Sequence, residues 1–219
     1  IKGDKMNLDY IFSIAPILLK ASLKTLELTV FSVACGSLLG VFAALIKLQK
    51  NKVLYLIGYL YTWIFRGTPL ILQIFFVYYG LPSLGVELNS LQGALIALSL
   101  NSGAYMAEII RGGILSIDKG QFEAAKALGF TYSQTMKRII LPQTIKFIIP
   151  SVGNEFITML KDTALVSVIA MSELMRTAQT MYAAKFSIEP FIVASIIYLL
   201  LTSIFTTAFS TVEKRLARY

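Results

Sequence analysis

Five apolar windows, roughly 22 to 46, 53 to 79, 89 to 110, 139 to 160 and 189 to 212, divide this sequence, and each is long enough to cross a bilayer as a helix. A chain built this way must fold in lipid. Its composition agrees: 56% of its 219 residues are hydrophobic and 15% charged, where a soluble domain carries about a quarter. The mean hydropathy is +0.71. The expected fold is an all-α membrane protein with five transmembrane helices in a single domain, 1–219. Residues 7 to 19 pattern poorly as a span and are expected to form a short interfacial lead-in.

The basic residues set the orientation. Lys47, Lys50 and Lys52 follow the first window; Arg111, Lys119, Lys126, Lys137 and Arg138 lie between the third and fourth; Lys214, Arg215 and Arg218 follow the fifth. The positive-inside rule makes these regions cytoplasmic, so the N-terminus is expected outside and the C-terminus inside. The opposite loops are poor in basic residues: 81 to 88 has no Lys or Arg, and the stretch near 161 to 188 has Lys161, Arg176 and Lys185. The net charge of +8 is therefore spread over the ends of apolar runs rather than gathered on one patch. A bilayer is the expected partner, and a nucleic acid is not. With Cys35 as the single cysteine and no histidine, no intrachain disulfide forms and no metal site is expected. Cys35 reads as a small packing residue. No cleaved signal peptide is expected, and a native start at Met6 would leave Ile1 to Lys5 as added residues.

One polar stretch, expected as a loop over 111–138, carries a recognisable run. Glu123 to Pro142 reads EAAKALGFTYSQTMKRIILP, matching E-A-A-x3-G-x9-I-x-L-P at every fixed position. Asp118 with Gln121 has the spacing of a capping box that would start a helix of about ten residues. Glu123 falls in the first turn, where a carboxylate suits the positive end of the dipole, and Gly129 suits the left-handed residue that ends the helix. Phe122, Ala125 and Leu128 share a face with Ala124 and Ala127 beside them, a small apolar surface that could enter a groove on a partner. Thr131 with Gln134 repeats the capping pattern and opens a second short helix that meets Pro142.

This run resembles the cytoplasmic coupling loop of permease subunits of bacterial ABC importers. FRGTPLILQIFFVYYGLP (65 to 82), AYMAEIIRGGI (104 to 114) and GNEFITMLKDTALVSVIAMSEL (153 to 174) are similar to the polar amino-acid branch of that family. Where the family often has Pro before the Lys-Gly-Gln segment, this chain has Asp118. The resemblance implies a type I ABC importer (MetI-like) permease fold in the bacterial cytoplasmic (inner) membrane. It also implies a multi-pass transport subunit rather than an enzyme. Expected partners are two cytoplasmic ATPase subunits, a second permease subunit in a homodimer, an extracytoplasmic substrate-binding protein and the amino-acid substrate. Gln121, Phe122, Glu123, Ala124, Ala125, Leu128 and Gly129 are the expected ATPase-coupling residues. The chain has no G-x4-G-K-[ST] run and no Gly-Lys dipeptide, so ATP and Mg are expected on the partner ATPase and no cofactor on this chain.

Polar groups inside apolar windows point to the cargo path. Arg66, Thr68 and Pro69 fall near the middle of the second window, where Pro69 disfavours a continuous helix. Thr68 is expected to cap a new half-helix with Pro69 at its first position, exposing amides to an amino-acid carboxylate beside Arg66. The alternative is a simple proline kink. Ser151, Asn154, Glu155, Thr158 and Asp162 form one stripe at helical spacing, and Asn101, Ser102 and Tyr105 form a lesser one. The expected cargo contacts are Arg66, Thr68, Asn101, Asn154, Glu155 and Thr158. Glu155 has no basic residue at i+3 or i+4, so its carboxylate must take a proton or find a cation, whether a basic substrate or another residue of the bundle. Local pairs Lys24–Glu27 and Glu108–Arg111 read as structural, Lys161 with Asp162 as a candidate outer gate, and Gly112–Gly113 as a sharp exit from the third span.

The expected function is the membrane-spanning subunit of an ATP-driven importer for a polar, basic L-amino acid working by alternating access. The alternatives are a permease for glutamine or another uncharged polar amino acid and, in a different class, an ion-coupled secondary transporter.

Overall fold

A computed structural model describes residues 7–216; the expected start at Met6 and the basic residue Arg218 lie outside them. The regular elements among the described residues are all helical, with no strand among them. In chain order the helices are α1 (Leu8–Lys47), α2 (Lys52–Gly67), α3 (Leu70–Phe75), α4 (Ser90–Leu115), α5 (Lys119–Ala127), α6 (Tyr132–Thr135), α7 (Leu141–Asp162), α8 (Leu174–Lys185) and α9 (Glu189–Leu216). A π turn and a 3-10 turn carry α3 on to Leu84, a π turn at Met136–Ile140 joins α6 to α7, and a 3-10 turn at Thr163–Ile169 follows α7.

The long α1 replaces two expected elements. Asn7 caps it by accepting from Tyr10 N (3.1 Å), and the helix then runs without a break past Pro16 to Lys47. The expected lead-in over 7–19 is thus the first part of the same helix. The cause is packing: Ile14 and Leu18 are buried against Leu174, Ala178 and Val193 of α8 and α9, so this segment covers protein.

Length and apolarity bear out the expected five spans in part. α1, α4 and α9 are long and apolar enough to cross a bilayer, and α2 with 70–84 makes a fourth if that pair, bent by 108°, is one span. α7 is 22 residues long, about 33 Å, but its polar stripe and Pro150 keep it less apolar than the other three.

α1 and α4 form the closest helix pair. Gly36 meets Ser102, and Gly40 meets Met106 and Ala107, so the two helices run in the same direction on a seam of small residues. A Cβ at Gly40 would sit 2.5 Å from Met106 Cβ and 3.0 Å from the Ala107 amide nitrogen, leaving no room for a side chain. Ser102, expected in the path wall, is instead fully buried beneath Gly36. Cys35 is exposed on α1 rather than packed. Around this seam the main core gathers Leu28, Ile74, Leu98, Met106, Met159 and Val166. Gly112 and Gly113 lie within α4 and do not form a turn. Gly113 serves packing, because a Cβ there would overlap Ile148 of α7.

Candidate functional site: a broken helix, two cavities and a helical hairpin

Chain direction changes by 108° between α2 and the 70–84 segment, at Thr68 and Pro69. The break differs in detail from expectation. Pro69 itself occupies the N-cap position of α3 and offers no side-chain cap. Thr68 turns back: its hydroxyl donates to Ile64 O (2.8 Å) and closes the end of α2. A break at membrane depth frees carbonyls that need new donors. Gln73, 5% exposed, supplies them, donating from Nε2 to Phe65 O (2.9 Å) and Thr68 O (3.0 Å). Asn101 Nδ2 completes the set, donating to Phe65 O (3.1 Å) and Gln73 Oε1 (2.9 Å). Sequence reasoning missed Gln73, although one amide in the apolar run LILQIFF was a signal. Gln73→Leu removes the donor to the Thr68 carbonyl and the acceptor of one Asn101 N–H, at about 1–3 kcal/mol each where water cannot replace them, while Phe65 O keeps its bond from Asn101. Thermal unfolding of the purified variant should show a midpoint several degrees lower.

Beyond the break lies a cavity of about 480 Å³. Thr68, Asn101, Tyr105, Asn154, Glu155 and Thr158 are in its wall, together with Pro69, Leu70, Ser151 and Asp162. The polar stripe of α7 is thus a cavity wall, and five of the six expected cargo contacts come together. No Lys or Arg lines it. Glu155 is 9% exposed and forms no ion pair among the described residues. Lys161 is exposed, lies outside this wall and forms no ion pair with Asp162 among the described residues.

Arg66 is the exception. It lines a neighbouring cavity of about 450 Å³ with Lys47, Thr62, Trp63, Glu108 and Arg111. Its guanidinium lies 5.3 Å over the ring of Tyr105, so it neither pairs with Glu155 nor enters the acidic cavity. The bend explains this, because residues before it face one cavity and residues after it the other. The expected pairs Lys24–Glu27 and Glu108–Arg111 form, each at 2.8 Å. Lys47, read only as a loop charge, turns inward to the other oxygen of Glu108 and to Thr62 Oγ1 (2.7 Å). Nothing local in the sequence signals that reach, which spans 61 positions.

The EAA run forms a helical hairpin. Asp118 caps α5 by accepting from Gly120 N (2.6 Å), but the reciprocal half of a capping box is absent: Gln121 Oε1 instead accepts from Gln143 Nε2 (3.5 Å). Gly129 has φ +78°, with Gly129 N bonded to Lys126 O and Phe130 N to Ala125 O, the paired bonds that close a helix C-terminus around a left-handed residue. Thr131 and Gln134 make a complete capping box. The helix they open does not stay short; through the Met136–Ile140 π turn it continues into α7. The expected apolar face divides: Ala125 is 1% exposed and Phe122 half-buried, both turned toward the chain. Leu128, 76% exposed, faces outward with Glu123, Ala124 and Ala127.

An apolar helical fold, a polar cavity at a broken helix and a capped helical hairpin are features of a transport subunit. The family described as "Binding-protein-dependent transport system inner membrane component" matches residues 36–218. The chain belongs to this family. It is 44% identical over 215 residues to the arginine transport system permease protein ArtQ of Bacillus subtilis (strain 168), covering 96% of this chain and 98% of that protein. The L-cystine transport system permease protein TcyB of the same organism is 39% identical over 206 residues, covering 93% and 88%. Among solved structures, the crystal structure of an amino acid ABC transporter with histidines superposes with a TM-score of 0.92 at 38% identity, covering 97% of this chain and 100% of that one. An inward-facing MetNI methionine ABC transporter matches at TM-score 0.80 and 19% identity over 96% and 99%, which supports the MetI-like type I fold alone. The chain is therefore an inner-membrane permease subunit of an amino-acid ABC importer, a transport subunit and not an enzyme, with the ATPase on a separate subunit.

Proposed function

We propose that this permease conducts a basic L-amino acid, arginine or lysine, through the cavity walled by Thr68, Asn101, Asn154, Glu155 and Thr158, with Arg66 serving the cargo from the adjoining cavity. The observation that carries this reading is the wall itself: it holds two carboxylates, Glu155 and Asp162, and no cationic side chain. A buried carboxylate without an internal partner favours a cationic ligand over a neutral one. The name of ArtQ, an arginine system, agrees with that chemistry.

In this reading five segments span the membrane, α7 included, with the N-terminus outside and the C-terminus inside. Two copies of the chain pair, a binding protein delivers the amino acid outside, and two ATPase subunits carrying ATP and Mg dock on the cytoplasmic hairpin 111–138; this chain holds no cofactor. Gln121, Phe122, Glu123, Ala124, Ala125, Leu128 and Gly129 form the coupling element. Leu128, Glu123 and Ala124 present its outer surface, and Phe122 and Ala125 fix the helix to the bundle. ATP-driven closure moves the hairpins, and the helical cores open outward and then inward.

Equilibrium binding of a panel of amino acids to the purified complex tests the cargo. Arginine and lysine are expected to bind at least about tenfold more tightly than glutamine, about 1.4 kcal/mol. Equal affinity for glutamine would remove the basic-cargo reading.

A further inference from the structure

The second cavity holds charge that the acidic wall does not use. Lys47, Arg66 and Arg111 face a single carboxylate there, Glu108, an excess of two positive charges. Both oxygens of Glu108 are occupied: Lys47 holds Oε1, and Arg111 donates from Nε (3.1 Å) and Nη2 (2.8 Å) to Oε2. Lys47 is largely spent, with a side chain 6% exposed and a second bond to Thr62. The two guanidinium groups are not. Arg111 keeps Nη1, and Arg66 has no carboxylate partner among the described residues and only the Tyr105 ring beneath it.

This cavity adjoins the acidic one. Tyr105 lines the acidic cavity and carries Arg66 on its ring, while Gly67 and Thr68, one in each wall, are consecutive. A third cavity, about 390 Å³, touches both, sharing Ser151 with the acidic wall and Glu108 with the basic one. An amino acid carries a carboxylate as well as its cationic groups. The acidic wall offers that carboxylate no cation, whereas the adjoining wall offers two guanidinium groups, whose forked donors match carboxylate geometry.

We propose that the Arg66–Arg111 cavity is a second station on the path, which takes the α-carboxylate of the amino acid beside the acidic chamber. This rests on amino-acid passage through the acidic cavity as argued above. The station is specific for the carboxylate and indifferent to the side chain, so it serves every amino acid the permease admits. The acidic wall alone discriminates between cargoes.

Three ligands separate these roles when bound to the purified permease–ATPase complex without binding protein: arginine, agmatine, which is arginine without its carboxylate, and glutamine. In the Arg66→Gln/Arg111→Gln double variant, affinity for arginine and glutamine should fall at least tenfold, while agmatine stays within twofold. Equal losses for all three would show a structural role and overturn the station, and so would unchanged binding of all three. Nanodiscs with and without phosphatidylglycerol test the other anion available to the cavity. A loss confined to discs containing that lipid would make this a headgroup site and overturn the proposal. Glu155→Gln tests the underlying reading separately, because it should weaken arginine and agmatine and spare glutamine. If Glu155→Gln has no such effect while the double variant behaves as expected, basic specificity falls and the station stands. A wild-type complex that binds none of the three ligands would overturn both.

Discussion

Replacing Gly129 by aspartate should leave the protein folded in the membrane and reduce ATP-driven uptake at least tenfold. The glycine has φ +78°, the left-handed region, where a non-glycine residue costs about 1–2 kcal/mol. Aspartate is among the residues that tolerate this region best, and a Cβ at 129 meets nothing within 4 Å, so the backbone penalty stays near the low end. That is too little to unfold a helical bundle. The lost transport therefore reports on a charge placed beside Leu128 and Glu123, on the outward surface proposed for ATPase docking. Gly129→Asn separates the two contributions: it carries the same backbone cost without the charge, and it should retain most uptake. ATPase activity of the assembled complex, measured with and without cargo, should lose its dependence on cargo in Gly129→Asp. Normal uptake in that variant would remove the coupling role from the hairpin.

Local chemistry was legible in the sequence wherever one residue type has one structural use. Gly129 at a helix end, Thr131 with Gln134 at a helix start and Pro69 inside an apolar window each produced the local feature their type requires. The stripe from Ser151 to Asp162 was legible for the same reason, since helical spacing alone puts those residues on one side. What the sequence could not carry were relations set by tertiary packing. Ala125 sits on the predicted face of α5, but which side of that helix meets the bundle depends on α7 and the π turn, so the face expected outward is half turned in. Gly113 is expected at a sharp exit because glycine permits turns; its neighbour is Ile148, and it permits contact instead. Lys47 and Arg66 were assigned by sequence position to a loop and to the cargo wall. A bend of 108° and a side chain reaching from α1 to α4 gather both into one basic cavity.

Glu155→Gln should weaken uptake of arginine and lysine by about tenfold to a hundredfold and change glutamine uptake by no more than about threefold. The substitution keeps the shape of a side chain that is 9% exposed and removes its charge, so the cavity wall stays in place. Leaving a cationic ligand without a buried partner costs on the order of 2–5 kcal/mol, while the remaining carboxylate, Asp162, lines the same cavity and recovers part of that. A neutral cargo forfeits no ion pair and feels only the change in hydrogen bonding. Stability should move the other way. An uncompensated buried carboxylate opposes folding, so the Gln variant should unfold at the same temperature or higher, and a fall in uptake cannot then be ascribed to damage. Parallel uptake curves for the two cargo classes, read beside thermal unfolding of the same preparations, decide the matter. Equal losses for arginine and glutamine would take specificity away from Glu155 and leave it with the binding protein that delivers the cargo.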